Sequence, residues 1–312
     1  MVRKRSGGLL LLASTGVALV LAGCGASSGP SSAGAVTVVA TTTQLGDFVR
    51  AVGGERVDVV QVLQPNSDPH EYEPRPDDVT ALLHAPLVFE SGDGLDAWMG
   101  KVVAAAGGDP RVITLADANV TRLPQDPHWW HDPRNVEAAI PVIRAALARA
   151  NPPAAAVYAR NARSYVRRVK RLDAGIAACM RRVPTAQRRL VTDHDAFGYF
   201  ARRYGIDVVG TVIPSQTTQA QPSAGDLAQL VRTIRREHVH AIFPESSVNA
   251  KLARAIADET GASADETLYG DTLGPAGSDG ATYLGMERHN ADAMVRGFTA
   301  GRRGCAKRSD TS

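Results

Sequence analysis

Several things are scarce in this chain, and each scarcity removes a class of function. Beyond its first two dozen residues no run is long and apolar enough for a transmembrane helix, so the remainder does not cross a bilayer in that way. An excess of one charge is also missing. Lys and Arg total 35 against 32 Asp and Glu, and three of the bases are Arg3, Lys4 and Arg5, which leaves the rest evenly balanced. Nucleic-acid binding thereby loses its electrostatic motive. No HExxH motif occurs, so a metallohydrolase lacks its usual local signature. Cysteine is rare, with only Cys24, Cys179 and Cys305.

What is present begins at the N-terminus. Residues 1–23 have a basic start, an apolar run from Leu9 to Leu21 and a close of small residues, the order of a secretory signal. Leu21-Ala22-Gly23-Cys24 resembles the lipobox of bacterial lipoproteins, in which the cysteine is acylated and becomes the new N-terminus. Residues 24–35 are rich in Gly and Ser and read as a flexible tether. The expected location is the cell membrane, lipid-anchored, facing the extracellular side or periplasm. In that oxidising compartment Cys179 and Cys305 are candidates for a disulfide, though spacing alone cannot bring them together.

From residue 36 onward, β-branched runs alternate with amphipathic segments: VTVVATTT, QLGDFVRAVGG, VDVVQVL, DDVTALLHA, PLVFES, GLDAWMGKVVAAAGG and RVITL. The alternation resumes with RRLVTD, DAFGYFARRYG, IDVVGTVI, SAGDLAQLVRTIRREH, HAIFPE, NAKLARAIADETG and TLYGD, and ends in a helix from Tyr283 to about Ala300. This predicts an α/β protein with parallel sheets in two lobes, residues 36–150 and 184–301, followed by a basic tail at 302–312. Between the lobes, residues 151–183 are the most periodic segment. Asn151-Pro152 starts it, and Ala155, Tyr158, Ala162, Tyr165, Val169, Leu172, Ile176 and Cys179 recur at steps of three and four. A helix over 154–182 would be roughly 43 Å long and could hold two lobes apart. Its arginines read as a solvated face.

Six stretches carry a resemblance: VVATTTQLGDFVRAVGG, PNSDPHEYEPRPDDVTAL, DPHWWHDPRN, VTDHDAFGYF, FPESSVNAKLARAIADETG and LYGDTLGPAGSDGATYLGM. In this order they resemble the motifs of the metal-binding lipoproteins of bacterial ABC importers (cluster A-I, the zinc and manganese binding proteins). The resemblance covers nearly the whole chain after the tether. It implies two α/β lobes joined by one long rigid helix, with a transition-metal ion in the cleft between them. It also implies an ABC permease and its ATPase as partners, with the chain itself a monomer and not an enzyme. Carried over position by position, the ligands are His70, His128, His194 and Asp271. The third position is glutamate in manganese-type members and is His194 here. Three imidazoles and one carboxylate suit Zn²⁺, whereas Mn²⁺ is expected to take more oxygen. Without the resemblance these four residues match no local metal-binding spacing, although His70, His194 and Asp271 each follow a predicted strand, where α/β sheets bind ligands.

Within DPHWWHDP, His128 takes the ligand role because it follows Asp-Pro as in the family motif. His131 is read as a supporting or surface histidine, although two rings three residues apart can share one side of a helical turn. Trp129 and Trp130 are expected to pack and exclude water. Glu245 could orient a ligand histidine or cap the helix starting near Asn249. His84, His238, His240 and His289 fall in no ligand motif. Residues 108–127 hold no histidine, so no accessory metal-collecting loop is expected there. The competing readings are a manganese- or iron-binding relative, a surface adhesin and a metallohydrolase. Four protein ligands would close the water position a hydrolase needs.

Overall fold

The computed structural model describes Met1, residues 34–118 and residues 120–305. Cys24, nearly all of the signal segment and tether, and the end of the basic tail lie outside these residues. The N-terminal lobe is a parallel four-stranded sheet, β1 (Val36–Ala40), β2 (Val57–Gln61), β3 (Leu87–Glu90) and β4 (Arg111–Thr114), in the order β2-β1-β3-β4. Its central strand reads Val36-Thr37-Val38-Val39-Ala40, and Val38, Val39 and Ala40 are fully buried. A strand covered on both faces has no polar side to alternate with, which is why Val38, Val39 and Ala40 are apolar in succession. Helix α1 (Thr43–Gly53) follows at once, capped by the Thr42 hydroxyl, which accepts from the Leu45 N–H. Helices α2 (Pro76–Leu82) and α3 (Met99–Ala106) complete the lobe.

Helix α4 (Pro133–Ala150) starts where Asp132 caps the chain, and Pro133 takes the first helical position, where no N–H is needed. The connector follows as α5 (Ala155–Met180), 26 residues and about 39 Å at 1.5 Å per residue. Tyr158, Ala162, Tyr165, Val169, Leu172, Ile176 and Cys179 are buried along it, while Ala155 is only half-buried. α5 packs against α4 and α1 of the first half and against α9 (Tyr283–Phe298) and α6 (Gly198–Tyr204) of the second. One continuous apolar core therefore runs through both lobes. A disulfide joins Cys179, near the end of α5, to Cys305, beyond α9.

The C-terminal lobe is less regular. Strands β5 (Arg189–Thr192) and β6 (Asp207–Thr211) pair in parallel, and helices α7 (Ala224–Arg236) and α8 (Lys251–Thr260) pack on this lobe. The segments HAIFPE and TLYGD are not continuous strands. They make isolated parallel bridges, Thr192 with Phe243, Ala241 with Ser263 and Glu245 with Leu268. Pro244 interrupts the first segment: it has no N–H to donate, so pairing breaks there and resumes at the Glu245–Leu268 bridge. The next amide, that of Glu245, donates to the Asp193 carboxylate at 2.7 Å instead of to a neighbouring backbone carbonyl.

Candidate metal centre

Two copies of the tripeptide Asp-Pro-His position the histidines of the N-terminal lobe. In the loop after β2, the His70 amide donates to Asp68 Oδ1 at 2.9 Å. In the loop before α4, the His128 amide donates to Asp126 Oδ1, also at 2.9 Å. Proline lacks a donor, so the aspartate captures the next available N–H and forms an Asx turn. In the second copy the aspartate does more, because Asp126 Oδ1 also meets His128 Nδ1 at 2.7 Å. From the C-terminal lobe, His194 follows β5. Glu245 Oε1 accepts both its amide and its ring Nδ1–H, each at 3.0 Å. Asp271 lies in the loop after the Glu245–Leu268 bridge, and Gln44 Nε2 donates to its carbonyl at 2.9 Å. The residue before it has to be glycine: a Cβ at Gly270 would stand 2.1 Å from Glu245 Oε2.

These four side chains converge, with one donor atom from each lying within 4.8 Å of every other. His128 Nε2 is 3.4 Å from His70 Nε2 and 3.3 Å from His194 Nε2. Asp271 Oδ1 is 3.2 Å from His128 Nε2, and Oδ2 is 3.5 Å from His194 Nε2. His128, His194 and Asp271 are fully buried, and His70 is the partly exposed member. Carboxylates on the Nδ1 side fix the tautomer of His128 and His194: Nδ1 carries the hydrogen and Nε2 turns a lone pair to the centre. A lone pair 3.2 Å from a carboxylate oxygen is acceptor against acceptor, and either a proton on the imidazole or a metal cation between them relieves it.

The electrostatics agree. Burial alone would depress the His128 imidazole, but Asp126 and Asp271 outweigh it and hold the group above its ordinary value. His194 is raised further, with Glu245 and Asp271 overcoming its burial. Burial would raise Asp271, but the surrounding imidazoles, His194 first, hold it well below the usual carboxylate range. Asp193 is pushed up to about 7, by burial and then by the charge of Glu245. The whole cluster is built to gather positive charge.

His131 does not join it. Its ring is fully buried, with Nδ1 2.7 Å from Glu287 Oε1 and Nε2 3.1 Å from the Gly270 carbonyl. It therefore steadies the loop carrying Asp271 from outside. Trp130 Nε1 donates to the same carbonyl at 3.3 Å, and Trp129 Nε1 donates to Ser91 Oγ at 3.0 Å. Glu245 holds His194 and does not cap a helix. His84, His238 and His240 are exposed, and His289 faces the Thr267 carbonyl. Sequence reasoning did not assign roles to Asp126, Gln44 or Glu287. The repeated Asp-Pro-His was the available signal for Asp126; Gln44 and Glu287 act across separations of 227 and 156 residues and had none. A cleft of about 1020 Å³ opens onto the His70 side, lined among others by Tyr72, Trp98, Asp195, Gln216 and Gln219.

Two α/β lobes closing around three imidazoles and a carboxylate define a metal-binding substrate-binding protein, not an enzyme. The family "Zinc-uptake complex component A periplasmic" (ZnuA) matches residues 38–297, and the chain belongs to that family. It is thus the substrate-binding component of an ABC importer, with a divalent metal ion as cargo. The chain is 31% identical over 291 residues to the manganese-binding lipoprotein MntA of Halalkalibacterium halodurans, covering 91% of this chain and 96% of that one. It is 30% identical over 270 residues to the iron-binding protein YfeA of Yersinia pestis, covering 84% and 86%. The structure of the periplasmic zinc binding protein TroA from Treponema pallidum superposes with a TM-score of 0.80 at 29% identity, covering 85% of this chain and 99% of that one.

Proposed function

We propose that this chain is a lipid-anchored zinc receptor: acylated at Cys24, monomeric, and binding one Zn²⁺ through His70, His128, His194 and Asp271 for delivery to an ABC permease and its ATPase. One observation carries the choice of metal. Tetrahedral zinc holds nitrogen at about 2.0–2.1 Å, which separates neighbouring donors by roughly 3.3–3.4 Å. The Nε2 separations of 3.4 and 3.3 Å have that spacing. Three nitrogens and one oxygen also suit a borderline-soft ion better than Mn²⁺. Four protein donors leave no position for an activated water, in keeping with a cargo site.

A manganese or iron cargo is the second reading, favoured by the names that MntA and YfeA carry. Zinc binds well to most such sites in a test tube whatever the cell supplies. The decisive measurement is therefore elemental analysis of protein purified from its native host. Close to one zinc per chain is expected, and manganese or iron as the principal metal would overturn the proposal. For the anchor, Cys24→Ala should move the protein from the membrane to the soluble fraction, and an unchanged membrane share would overturn that part.

A further inference from the structure

Helix α5 carries a feature that metal capture does not use. Arg160, Arg163, Arg167 and Arg171 recur at steps of three and four and are all exposed, so they form one ridge roughly 16 Å long. The ridge lies on the side of the helix opposite the buried Tyr158, Tyr165, Val169 and Ile176. Among the described residues none of the four has an ion-pair partner. Nearby bases are engaged: Lys170 pairs with Glu137 at 3.6 Å, and Arg168 lies over the Tyr165 ring as a cation–π contact. Asp173 is the one acid between Arg144 and Arg182, and Arg203 takes it at 2.5 Å. Like charges at i,i+4 weaken a helix, so the ridge burdens the fold, and among the described residues no acid offsets it. Since bases and acids balance after residue 5, this is a local excess and not general basicity.

The point where the chain enters the folded body lies beside the same helix. Asn151 Nδ2 donates to the Gly34 carbonyl at 2.8 Å, and Asn151 sits at the junction of α4 and α5. Residues 24 to 34 span at most about 35 Å of chain. A bilayer holding Cys24 is therefore within reach of the start of α5. We propose that the arginine ridge of α5 rests on anionic phospholipid headgroups of the membrane to which the chain is anchored, which orients the body on the bilayer. This rests on the anchor reading given above. Guanidinium groups pair with phosphate through paired N–H donors, and each base near an anionic surface strengthens partitioning roughly fivefold. No residue of α5 lines the cleft, so it stays open when the ridge is seated.

The test uses the full acylated chain in vesicles, with a fluorophore at Ser164→Cys beside the ridge and an energy acceptor on the lipid headgroups. Transfer should be higher on vesicles with about a third phosphatidylglycerol than on pure phosphatidylcholine, and should fall back in roughly 0.5 M salt. In R160Q/R163Q/R167Q/R171Q, with its fold checked by thermal melting, the difference between the two lipids should vanish. A label at Ala228→Cys on α7 should show no rise. Flotation with neutral vesicles reports the anchor alone, so a chain that fails to float overturns the anchor reading. A chain that floats but gives equal transfer on both lipids overturns the ridge. Glutamine variants that impair metal uptake in cells while leaving transfer unchanged would assign the ridge to an acidic protein surface and overturn the lipid proposal.

Discussion

The turns at residues 68–70 and 126–128 share the sequence Asp-Pro-His and the same 2.9 Å bond from the histidine amide to the aspartate, yet they leave their rings in different states. Asp126 is buried and also holds the His128 ring. Asp68 is half-buried and holds only the backbone, and among the described residues the His70 ring has no such carboxylate. The tripeptide fixes the backbone, and the surroundings fix the ring. The centre thus has a deep side (His128, His194 and Asp271) whose rings are oriented before metal arrives. It also has a cleft side, His70, that faces solvent.

The largest effect expected from this contrast is on pH. His128 and His194 are raised above the ordinary imidazole value, so in the metal-free protein they keep protons that free histidine would already have lost. Zn²⁺ has to displace those protons. Affinity should therefore fall by roughly 10⁴-fold or more between pH 7.5 and 5. The metal-free fold responds with the opposite sign. Raised histidines stabilise it fully below their unfolded pKa, and that contribution is lost as pH rises through the folded pKa. The zinc-induced rise in Tm should accordingly be large at neutral pH and vanish in acid. A rise that persists at pH 4.5 would mean that the histidines do not dominate the site.

Removing a ring tests the two sides directly. His70→Gly and His128→Gly should each weaken zinc binding by about 10³-fold, on the scale of a lost ligand. Only the first opens onto the 1020 Å³ cleft, so added imidazole should restore much of the affinity of His70→Gly and none of that of His128→Gly. Competition titration with a chelator reads both, and equal rescue of the two variants would erase the distinction between the sides. A smaller effect is expected from the carboxylates that hold rings. Asp126→Asn and Glu245→Gln should cost roughly 10- to 100-fold in affinity, whereas Asp68→Asn, at the matching place in the other turn, should cost much less. If Asp68→Asn cost as much as Asp126→Asn, the two turns would be equivalent after all.

Much of this architecture was legible in the sequence. The period of α5 identified its buried face nearly residue by residue, because a 26-residue amphipathic helix repeats its signal many times. The N-terminal sheet was legible for a different reason, its strands being short β-branched runs bounded by turns. The two interrupted segments were not, because HAIFPE has the composition of a strand and only the missing N–H of Pro244, set against its neighbours, breaks the ladder. At the centre, the four converging residues came from the order of motifs and from no local spacing. The network around them depends on contacts such as Gln44 to Asp271 and Asn66 to Thr272, across 227 and 206 residues. Such contacts leave no trace in a local pattern.

His131 marks the smallest effect on affinity and the sharpest contrast within one stretch, since it lies three residues from His128 and is just as buried. A backbone carbonyl can only accept, so Nε2 carries a hydrogen toward Gly270, while Nδ1 shares a proton with Glu287. Burial holds Glu287 above its ordinary value against the pull of His131, and among the described residues its Oε2 has no hydrogen-bond partner. Replacing His131 with Phe would leave that acid buried and unpaired, at a cost of about 3 kcal/mol in stability. The double variant His131→Phe/Glu287→Leu should recover most of that loss, because the pair is removed together. Zinc affinity should change by no more than roughly tenfold in either variant. Trp130 still holds the Gly270 carbonyl, and Gln44 still holds that of Asp271. Denaturation of the metal-free protein and chelator titration read the two quantities separately. Loss of zinc binding at unchanged stability would bring His131 into the centre and end the contrast with His128.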